Sequence, residues 1–150
     1  MALMDGKGCV ITAGAGSLGF SSARAWSAEG AKVLLVDQSQ DDLDAAASGL
    51  AGEVLTQRAD VTQRKNTEAY ITKAVYAWGR TDLIFANAGV SGTNAPIADY
   101  PEDIFDKVMD VNIKGAFLAL KYAIPRMCSG GSVIVTSSIK GVQARPNSVA

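Results

Sequence analysis

The sequence has 150 residues, of which 48% are hydrophobic, and its 14 basic and 15 acidic residues give a formal net charge of −1 at pH 7. A chain of this length fits one domain with a substantial core, and its balanced charge argues against a nucleic-acid surface or a polybasic membrane anchor. The sequence contains no histidine. We therefore expect neither a Ser-His-Asp triad nor a metal centre, since most zinc sites use histidine.

The N-terminus and the two cysteines indicate a cytoplasmic protein. Residues 1–7 lack the charged and apolar order of a signal peptide, and no apolar run reaches the roughly 18 residues of a membrane span. Cys9 and Cys128 lie far apart in apolar surroundings. This pattern favours two reduced thiols in the core over a disulfide.

Strand-like and helix-like segments alternate along the chain. Apolar runs rich in Val, Leu and Ile predict strands, and segments with helical spacing predict the helices between them. The expected elements, in chain order, are strand Lys7–Thr12, helix Leu18–Glu29, strand Lys32–Asp37, helix Asp41–Leu50, strand Glu53–Ala59, helix Gln63–Trp78, strand Asp82–Asn87, loop Ala88–Tyr100, a helical region from Pro101 to about Met127 broken near Asn112–Gly115, strand Ser132–Thr136 and a turn-rich tail, Ser137–Ala150.

This alternation predicts an α/β fold, a Rossmann-like doubly wound parallel sheet in three layers with strand order 3-2-1-4-5. Residues 1–150 then form a single domain. Ligands bind such sheets at the carboxyl ends of the strands. Small and polar residues gather at those ends in Thr12–Gly19, Asp37, Asp60-Val61, Asn87-Ala88-Gly89 and Ser137-Ser138.

The segment between the first strand and the first helix has the spacing of a pyrophosphate-binding loop. Gly14, Gly16 and Gly19 match G-x-G-x-x-G. In that pattern the glycines let the backbone approach the phosphates, and the N–H groups of the helix start bind the anion. Thr12, Ser17 and Leu18 belong to the same candidate loop. A glycine-rich turn without a ligand is the alternative, and the strand and helix on either side favour the cofactor.

Asp37 ends the second strand about 20 residues beyond the glycine loop, where a carboxylate accepts hydrogen bonds from an adenosine ribose. The alternative is a solvated acid at a strand end. Neither Gln38 nor Ser39 supplies a cation for a 2′-phosphate. We therefore expect NAD as the cofactor, with NADP disfavoured.

Two further strand ends have a cofactor-binding and a purely structural interpretation. Asp60 and Val61 either border the adenine or cap the helix that begins near Gln63, and both roles are compatible. Asn87, Ala88 and Gly89 either form a simple turn or contact the cofactor across the switch point beside the first strand. Their position beside the first strand favours the contact.

Asn112 and the pair Ser137-Ser138 are candidates for polar groups that face the cleft. Asn112 lies inside a helical pattern, although asparagine forms helices poorly, so it marks a helix break or a polar group facing the cleft. Ser137 and Ser138 leave the fifth strand, where either hydroxyl is able to hold a substrate oxygen or simply to start a loop.

These segments together resemble the classical short-chain dehydrogenases/reductases from Lys7 to Ala150. The matching residues are Thr12–Gly19, Asp37, Asp60-Val61, Asn87-Ala88-Gly89, Asn112 and Ile134–Ser138. The resemblance implies a Rossmann fold and reversible hydride transfer between NAD(P) and an alcohol or carbonyl. It also implies that Ser138 orients the substrate oxygen, that Asn112 positions a water in a proton relay, and that the complete protein is a homodimer or homotetramer.

Two features depart from the family pattern. The family loop T-G-x-x-x-G-x-G has glycine where this chain has Ala13 and Ser17. Ser17 is a candidate helix cap and a candidate hydrogen-bond donor to a phosphate. The family's catalytic tyrosine, in Y-x-x-x-K, would fall just after Ala150. We therefore expect these residues to be a cofactor-binding portion, truncated after about the fifth strand and inactive alone.

The sequence thus predicts an NAD-dependent oxidoreductase that acts on a small alcohol or carbonyl and has no nucleic-acid or membrane partner. Two alternatives stay open. One is a lyase or epimerase on the same scaffold, and the other is a non-catalytic NAD-binding or interaction domain.

Overall fold

The computed structural model describes residues 2–150, and strands and helices alternate through it as predicted. The strands are β1 (Gly8–Thr12), β2 (Lys32–Asp37), β3 (Val54–Arg58), β4 (Thr81–Ala86) and β5 (Met127–Val135). The helices are α1 (Ser17–Ala28), α2 (Gln40–Ser48), α3 (Arg64–Trp78), α4 (Glu102–Val108) and α5 (Ala116–Ala123), with a π-helical segment, Met109–Gly115, between the last two. Short 3₁₀ turns cover Ile97–Asp99, Ile124–Arg126 and Ile139–Gly141.

The five strands form one parallel sheet with the order β3-β2-β1-β4-β5, which confirms the predicted order. The chain reverses direction of winding between β3 and β4, so β1 lies between β2 and β4. In a doubly wound sheet the crevice opens at this switch point, outside the carboxyl ends of the central strands. The candidate site therefore lies above β1 and β4.

Two apolar cores make the sheet the middle of three layers. Successive strand residues alternate between the cores because successive side chains of a strand point to opposite faces. The core on the α1 and α2 side contains Cys9, Ile11, Ala23, Val33, Leu35, Leu43, Leu83 and Phe85. The core on the α3 and α5 side contains Val10, Leu34, Val36, Tyr70, Ile71, Ala74, Ile84 and Ala123. Burial on both faces explains why β1, β2 and β4 read as unbroken apolar runs.

Two expected segments are wrong in their details. The long helical region is not broken near Asn112–Gly115, because the backbone continues through Met109–Gly115 as a π helix. Strand β5 begins at Met127, well before the predicted Ser132. Its pairing with β4 shifts register between Thr81 and Leu83, and Gly130 adopts a left-handed φ of 80°. This irregular pairing has no periodic signature in the sequence.

The two cysteines differ in environment. Cys9 is fully buried, as expected, and burial raises the pKa of its thiol to about 12. Cys128 is only half-buried, and its thiol donates to Asp82 Oδ1 at 3.2 Å, so the prediction of a core thiol is wrong there. Both cysteines are free.

Among residues 2–150, every helix is too short or too polar to span a lipid bilayer.

Candidate functional site

The loop between β1 and α1 presents unpaired backbone N–H groups at the carboxyl edge of the sheet. Gly16 is the N-cap of the 12-residue helix α1, and no side chain caps it. The N–H groups of Ser17, Leu18 and Gly19 find no acceptor among residues 2–150. Unpaired N–H groups at a helix start, with the positive end of the helix dipole, form an anion-binding site.

Close packing explains two of the three loop glycines. A Cβ on Gly14 would lie 3.0 Å from the Leu35 Cα, and a Cβ on Gly19 would overlap the Ala13 carbonyl oxygen. The left-handed residue of the loop is Ala13, with a φ of 50°, at the position where the family pattern has glycine. The glycines therefore keep the loop close to β2 and to itself, and an alanine adopts its unusual backbone conformation.

The prediction that Ser17 caps helix α1 is wrong. Ser17 is the first residue of α1, and the N-cap position before it belongs to Gly16. Both Ser17 and Leu18 are exposed at the start of the helix, while Gly19 is buried against the loop. The serine hydroxyl is thus free of any capping bond.

Asp37 is fixed against the glycine loop by the backbone. Its Oδ2 accepts from the Ala15 N–H at 3.2 Å, and its Oδ1 accepts from the Gln38 N–H at 2.8 Å. The side chain lines the cavities on both sides of the loop. Each carboxylate oxygen is able to accept a further hydrogen bond. Asp37 is therefore a preorganised acceptor for a diol such as a ribose.

A small cavity with mainly apolar walls adjoins Asp37. It has a volume of about 260 Å³ and separates the glycine loop from the α4 region. The lining residues include Ala13, Asp37, Ala59, Val61, Ala88, Gly89, Lys107 and Val111. Apolar walls with a few polar groups at the rim suit a flat heteroaromatic ring such as adenine. Val61 is buried in this wall.

Asp60 organises the entry to α3. Its Oδ1 accepts from the Thr62 N–H at 2.9 Å, and its own N–H donates to Asn66 Oδ1 at 2.9 Å. The N-cap of α3 is Gln63, so Asp60 supports the turn before the helix and does not cap the helix itself. Asp60 also lines a separate cavity with Gln38 and Arg58.

Thr12 ties the central strand ends together. Its buried Oγ1 accepts from the N–H groups of Asn87 at 2.9 Å and Ala88 at 3.0 Å. The Asn87 amide donates to the Thr12 carbonyl at 3.2 Å, and its Oδ1 accepts from the Thr136 hydroxyl at 2.8 Å. These bonds join β1, β4 and the end of β5, and they fix the backbone of Asn87 and Ala88 at the edge of the cleft.

Asn112 binds the loop that follows β4. Its Oδ1 accepts from the Val90 N–H at 2.8 Å, and its Nδ2 donates to the Val90 carbonyl at 3.0 Å. Asn112 lies in the π-helical segment, a geometry that recurs at functional sites. Asn112 therefore holds one wall of the cleft through two hydrogen bonds to the Val90 backbone.

Ser138 lies in the same cleft as Asn112. The cleft has a volume of about 580 Å³, and Asn87, Ala88, Gly89, Asn112 and Ser138 line it together. The Ser138 Oγ accepts from the Lys140 N–H at 3.2 Å, and the side chain is exposed.

Among residues 2–150, no three His, Cys, Asp or Glu side chains cluster as metal ligands.

Several residues of these cavities were missed by the sequence analysis. Arg58 is the last residue of β3, and its Nε donates to the Gln38 carbonyl at 3.1 Å. The strand-end argument that identified Asp60 would have found Arg58 had the end of β3 been placed correctly. Val90 and Lys107 carry no local signal, because tertiary contacts alone bring them to the cavities.

Known proteins resemble this chain over nearly all of its length. The family model for short chain dehydrogenase matches residues 7–150. Levodione reductase of Leifsonia aquatica is 37% identical over 145 residues, which cover 92% of this chain and 54% of that protein. The 3-oxoacyl-[acyl-carrier-protein] reductase of Thermotoga maritima is 32% identical over 148 residues, covering 95% of this chain and 60% of that protein.

Solved structures show the same likeness in three dimensions. The crystal structure of levodione reductase superposes with a TM-score of 0.92 at 35% identity, covering 96% of this chain and 58% of that chain. The crystal structure of NAD⁺-bound xylitol dehydrogenase gives a TM-score of 0.92 at 31% identity, with 97% and 58% covered. The chain spans a little over half the length of these relatives. By its fold and by the family model that matches residues 7–150, this chain belongs to the short-chain dehydrogenase family.

Proposed function

We propose that this chain is the cofactor-binding part of an NAD-dependent oxidoreductase that transfers a hydride between the nicotinamide ring and an alcohol or carbonyl carbon of a small molecule. The observation that carries the proposal is the juxtaposition of the uncapped α1 N-terminus with the Asp37 carboxylate, 3.2 Å from the Ala15 N–H. Together they offer an anion site and a diol acceptor, which the pyrophosphate and ribose of a dinucleotide require. Family membership supports the same chemistry.

The adenosine end is held by the glycine loop and the strands beside it. The N–H groups of Ser17, Leu18 and Gly19 bind the pyrophosphate, and Asp37 accepts hydrogen bonds from the ribose hydroxyls. A Cβ on Gly16 would lie 3.3 Å from the Ala13 carbonyl oxygen, so glycine at this position lets the loop stay close to itself. Val61 contacts the adenine from the wall of the 260 Å³ cavity.

The cofactor supplies the hydride acceptor or donor at the other end of the cleft, and the chain's own residues orient the substrate. Ser138 Oγ accepts from the Lys140 N–H, so its own proton is free to donate to a substrate oxygen. Asn112 uses one N–H of its amide on Val90. The second N–H of that amide is the group that would bind a relay water.

Oxidation of an alcohol also requires a base within hydrogen-bond reach of the hydroxyl. An unassisted serine is a weak base, and none of the tyrosines of residues 2–150 lines the Ser138 cleft. Burial raises the pKa of Tyr70 to about 12, so it stays protonated in the core. We therefore propose that turnover needs the Y-x-x-x-K pair of the family, and that these 150 residues alone bind NAD without oxidising an alcohol.

Cofactor titration tests the proposal directly. The Asp37 carboxylate would face the 2′-phosphate of NADP, and we expect NAD to bind at least about tenfold more tightly, since a charge repulsion of about 1.4 kcal/mol suffices for that ratio. In Asp37→Ala the difference should shrink. Calorimetric titration of both cofactors measures it, and equal affinity in the native protein would contradict the proposal.

Asp42→Asn is the matched control for Asp37→Ala. Asp42 lines the same cavity as Asp37 and Ala15 but accepts no hydrogen bond from the glycine loop. We expect Asp42→Asn to leave the preference for NAD unchanged. An equal loss of preference in both variants would mean that the general negative field, and not Asp37, discriminates between the cofactors.

A further inference from the structure

We propose that Arg58 is a second determinant of cofactor choice, because its side chain is placed to bind a phosphate on the adenosine ribose. In the native protein, the negative charge of Asp37 prevents Arg58 from binding the 2′-phosphate of NADP. The inference deepens the proposed function and rests on it, because it places the adenosine of a nicotinamide dinucleotide beside Asp37. Neither residue that follows Asp37 along the chain is a cation. The cation comes from the neighbouring strand.

Asp37 and Arg58 are direct partners across the parallel pairing of β2 and β3, and each is the last residue of its strand. Side chains of paired residues emerge on the same face of a sheet, with strands about 4.8 Å apart. The Arg58 side chain therefore starts beside the carboxylate that we assign to the ribose. A ribose diol bound to Asp37 lies within the reach of an arginine from this position.

The guanidinium of Arg58 is anchored but largely unsatisfied. Its Nε donates to the Gln38 carbonyl at 3.1 Å. The ion pairs of residues 2–150 join Lys32 to Glu53, Arg80 to Asp82 and Lys114 to Asp110, and Arg58 takes part in none. A guanidinium has five N–H donors in a rigid fork that matches phosphate oxygens. One donor holds Arg58 in position, and the two terminal nitrogens are left for a ligand.

The space around Arg58 has room for a phosphate. A cavity of about 460 Å³ is lined by Gln38, Arg58, Ala59, Asp60 and Asn66. Gln38 and Ala59 also line the apolar cavity next to Asp37, so the two cavities share a wall. A phosphate on the ribose would enter the first cavity while the adenine occupies the second.

Two carboxylates oppose such a phosphate. Asp37 faces the ribose directly, and Asp60 lines the Arg58 cavity with one oxygen already accepting from the Thr62 N–H. One arginine does not offset both charges in the native protein, so NAD is favoured. Removing the charge of Asp37 alone should strengthen the binding of NADP at this site. Any gain in NADP binding then depends on Arg58.

A double-mutant cycle tests this dependence with NAD and NADP as probes and calorimetric binding as the readout. We expect Asp37→Asn to tighten NADP binding by about tenfold or more, because a charge repulsion at the 2′-phosphate is removed. In Asp37→Asn with Arg58→Gln, NADP binding should return to within about threefold of the native value. Arg58→Gln alone should leave NAD binding unchanged. Asp37→Ser provides a second variant without the charge, should Asp37→Asn fold poorly.

Lys107→Gln in the Asp37→Asn background is the matched control. Lys107 is the other exposed cation of this region and lines the adenine-side cavity with Asp37. We expect it to leave the NADP gain intact and Arg58→Lys to retain part of that gain. Equal losses with Lys107→Gln and Arg58→Gln, or a gain that survives Arg58→Gln, would overturn the inference while leaving the proposed function in place. Failure of every variant to bind NAD would overturn both.

Discussion

Among single residues, Ala13 is the one that adopts the strained backbone conformation of the glycine loop. Its φ of 50° lies in the left-handed region, which costs an L-residue about 1–2 kcal/mol. The greater entropy of glycine in the unfolded chain offsets part of the relief that a glycine would bring. We expect Ala13→Gly to raise the free energy of unfolding by about 0.5–1 kcal/mol in urea denaturation.

Ala15→Gly is the control for this effect in the same loop. Ala15 is not among the residues with positive φ, so glycine relieves no strain there. We expect Ala15→Gly to lower the free energy of unfolding by up to about 1 kcal/mol. If Ala13→Gly destabilises the protein as much as Ala15→Gly does, the inference that Ala13 is strained in its left-handed conformation is wrong.

The residue scale also shows what a sequence pattern conveys and what it omits. The spacing of Gly14, Gly16 and Gly19 predicted the place of the loop, but not that Ala13 would carry its left-handed conformation. Asp37 was found because it ends an apolar strand, and a strand end is visible in one dimension. Its bonds to Ala15 and Gln38 depend on how the loop folds over β2.

The π-helical segment is the element that shapes the cleft. Met109–Gly115 joins α4 to α5 without a break, and it brings the Asn112 amide to the backbone of Val90. Gly115 is buried in this segment, and a Cβ there would lie 2.9 Å from Val61 Cγ2. The segment thus connects the wall of the cleft to the apolar wall beside the glycine loop.

Asn112→Ala should loosen the loop after β4. It removes an acceptor and a donor from Val90 and leaves that backbone N–H unpaired in a partly buried place. We expect amide hydrogen exchange at Val90 to become at least about tenfold faster, because about 1.4 kcal/mol of local stability corresponds to that factor.

Asn66→Ala provides the comparison, since Asn66 Oδ1 accepts from the Asp60 N–H in a different loop. Faster exchange should then appear at Asp60 and not at Val90. Uniformly faster exchange across the sheet in Asn112→Ala would mean that Asn112 supports global stability and not this loop in particular.

Elements were predicted well where periodicity reports burial, and poorly where geometry is irregular. The strand order followed from the alternation of strands and helices, because right-handed crossovers leave few arrangements for a parallel sheet. The π helix was predicted as a break because asparagine and glycine are poor helix formers, although tertiary bonds to Val90 compensate for this. The early start of β5 depends on a register shift that no period encodes.

At the scale of the whole molecule, an apolar row on the long helical region is left exposed. Phe105, Met109, Ile113, Phe117 and Ile124 are between 39% and 59% exposed. The first four recur every fourth residue, which places them along one side of the helical region. Other apolar residues of this region, Val108, Val111 and Leu118, are buried in the protein's own interior.

The exposed row predicts self-association of the protein. A contiguous apolar surface of this kind marks an interaction site, and a symmetric dimer places the same row of each copy against the other. We expect sedimentation velocity at micromolar concentration to show a dimer or a larger assembly. A native protein that sediments as a monomer there would contradict this expectation.

Charge substitutions locate the surface that is buried on association. Because a two-fold axis repeats every change, Phe117→Glu places two carboxylates in one apolar contact, and each is costly to bury unpaired. We expect Phe117→Glu and Ile113→Glu to shift the protein to monomer with its fold retained by circular dichroism. Tyr76→Glu, at a residue 93% exposed on α3, should leave the assembly unchanged. Dissociation by Tyr76→Glu, or an intact dimer in Phe117→Glu, would place the association surface elsewhere on the molecule.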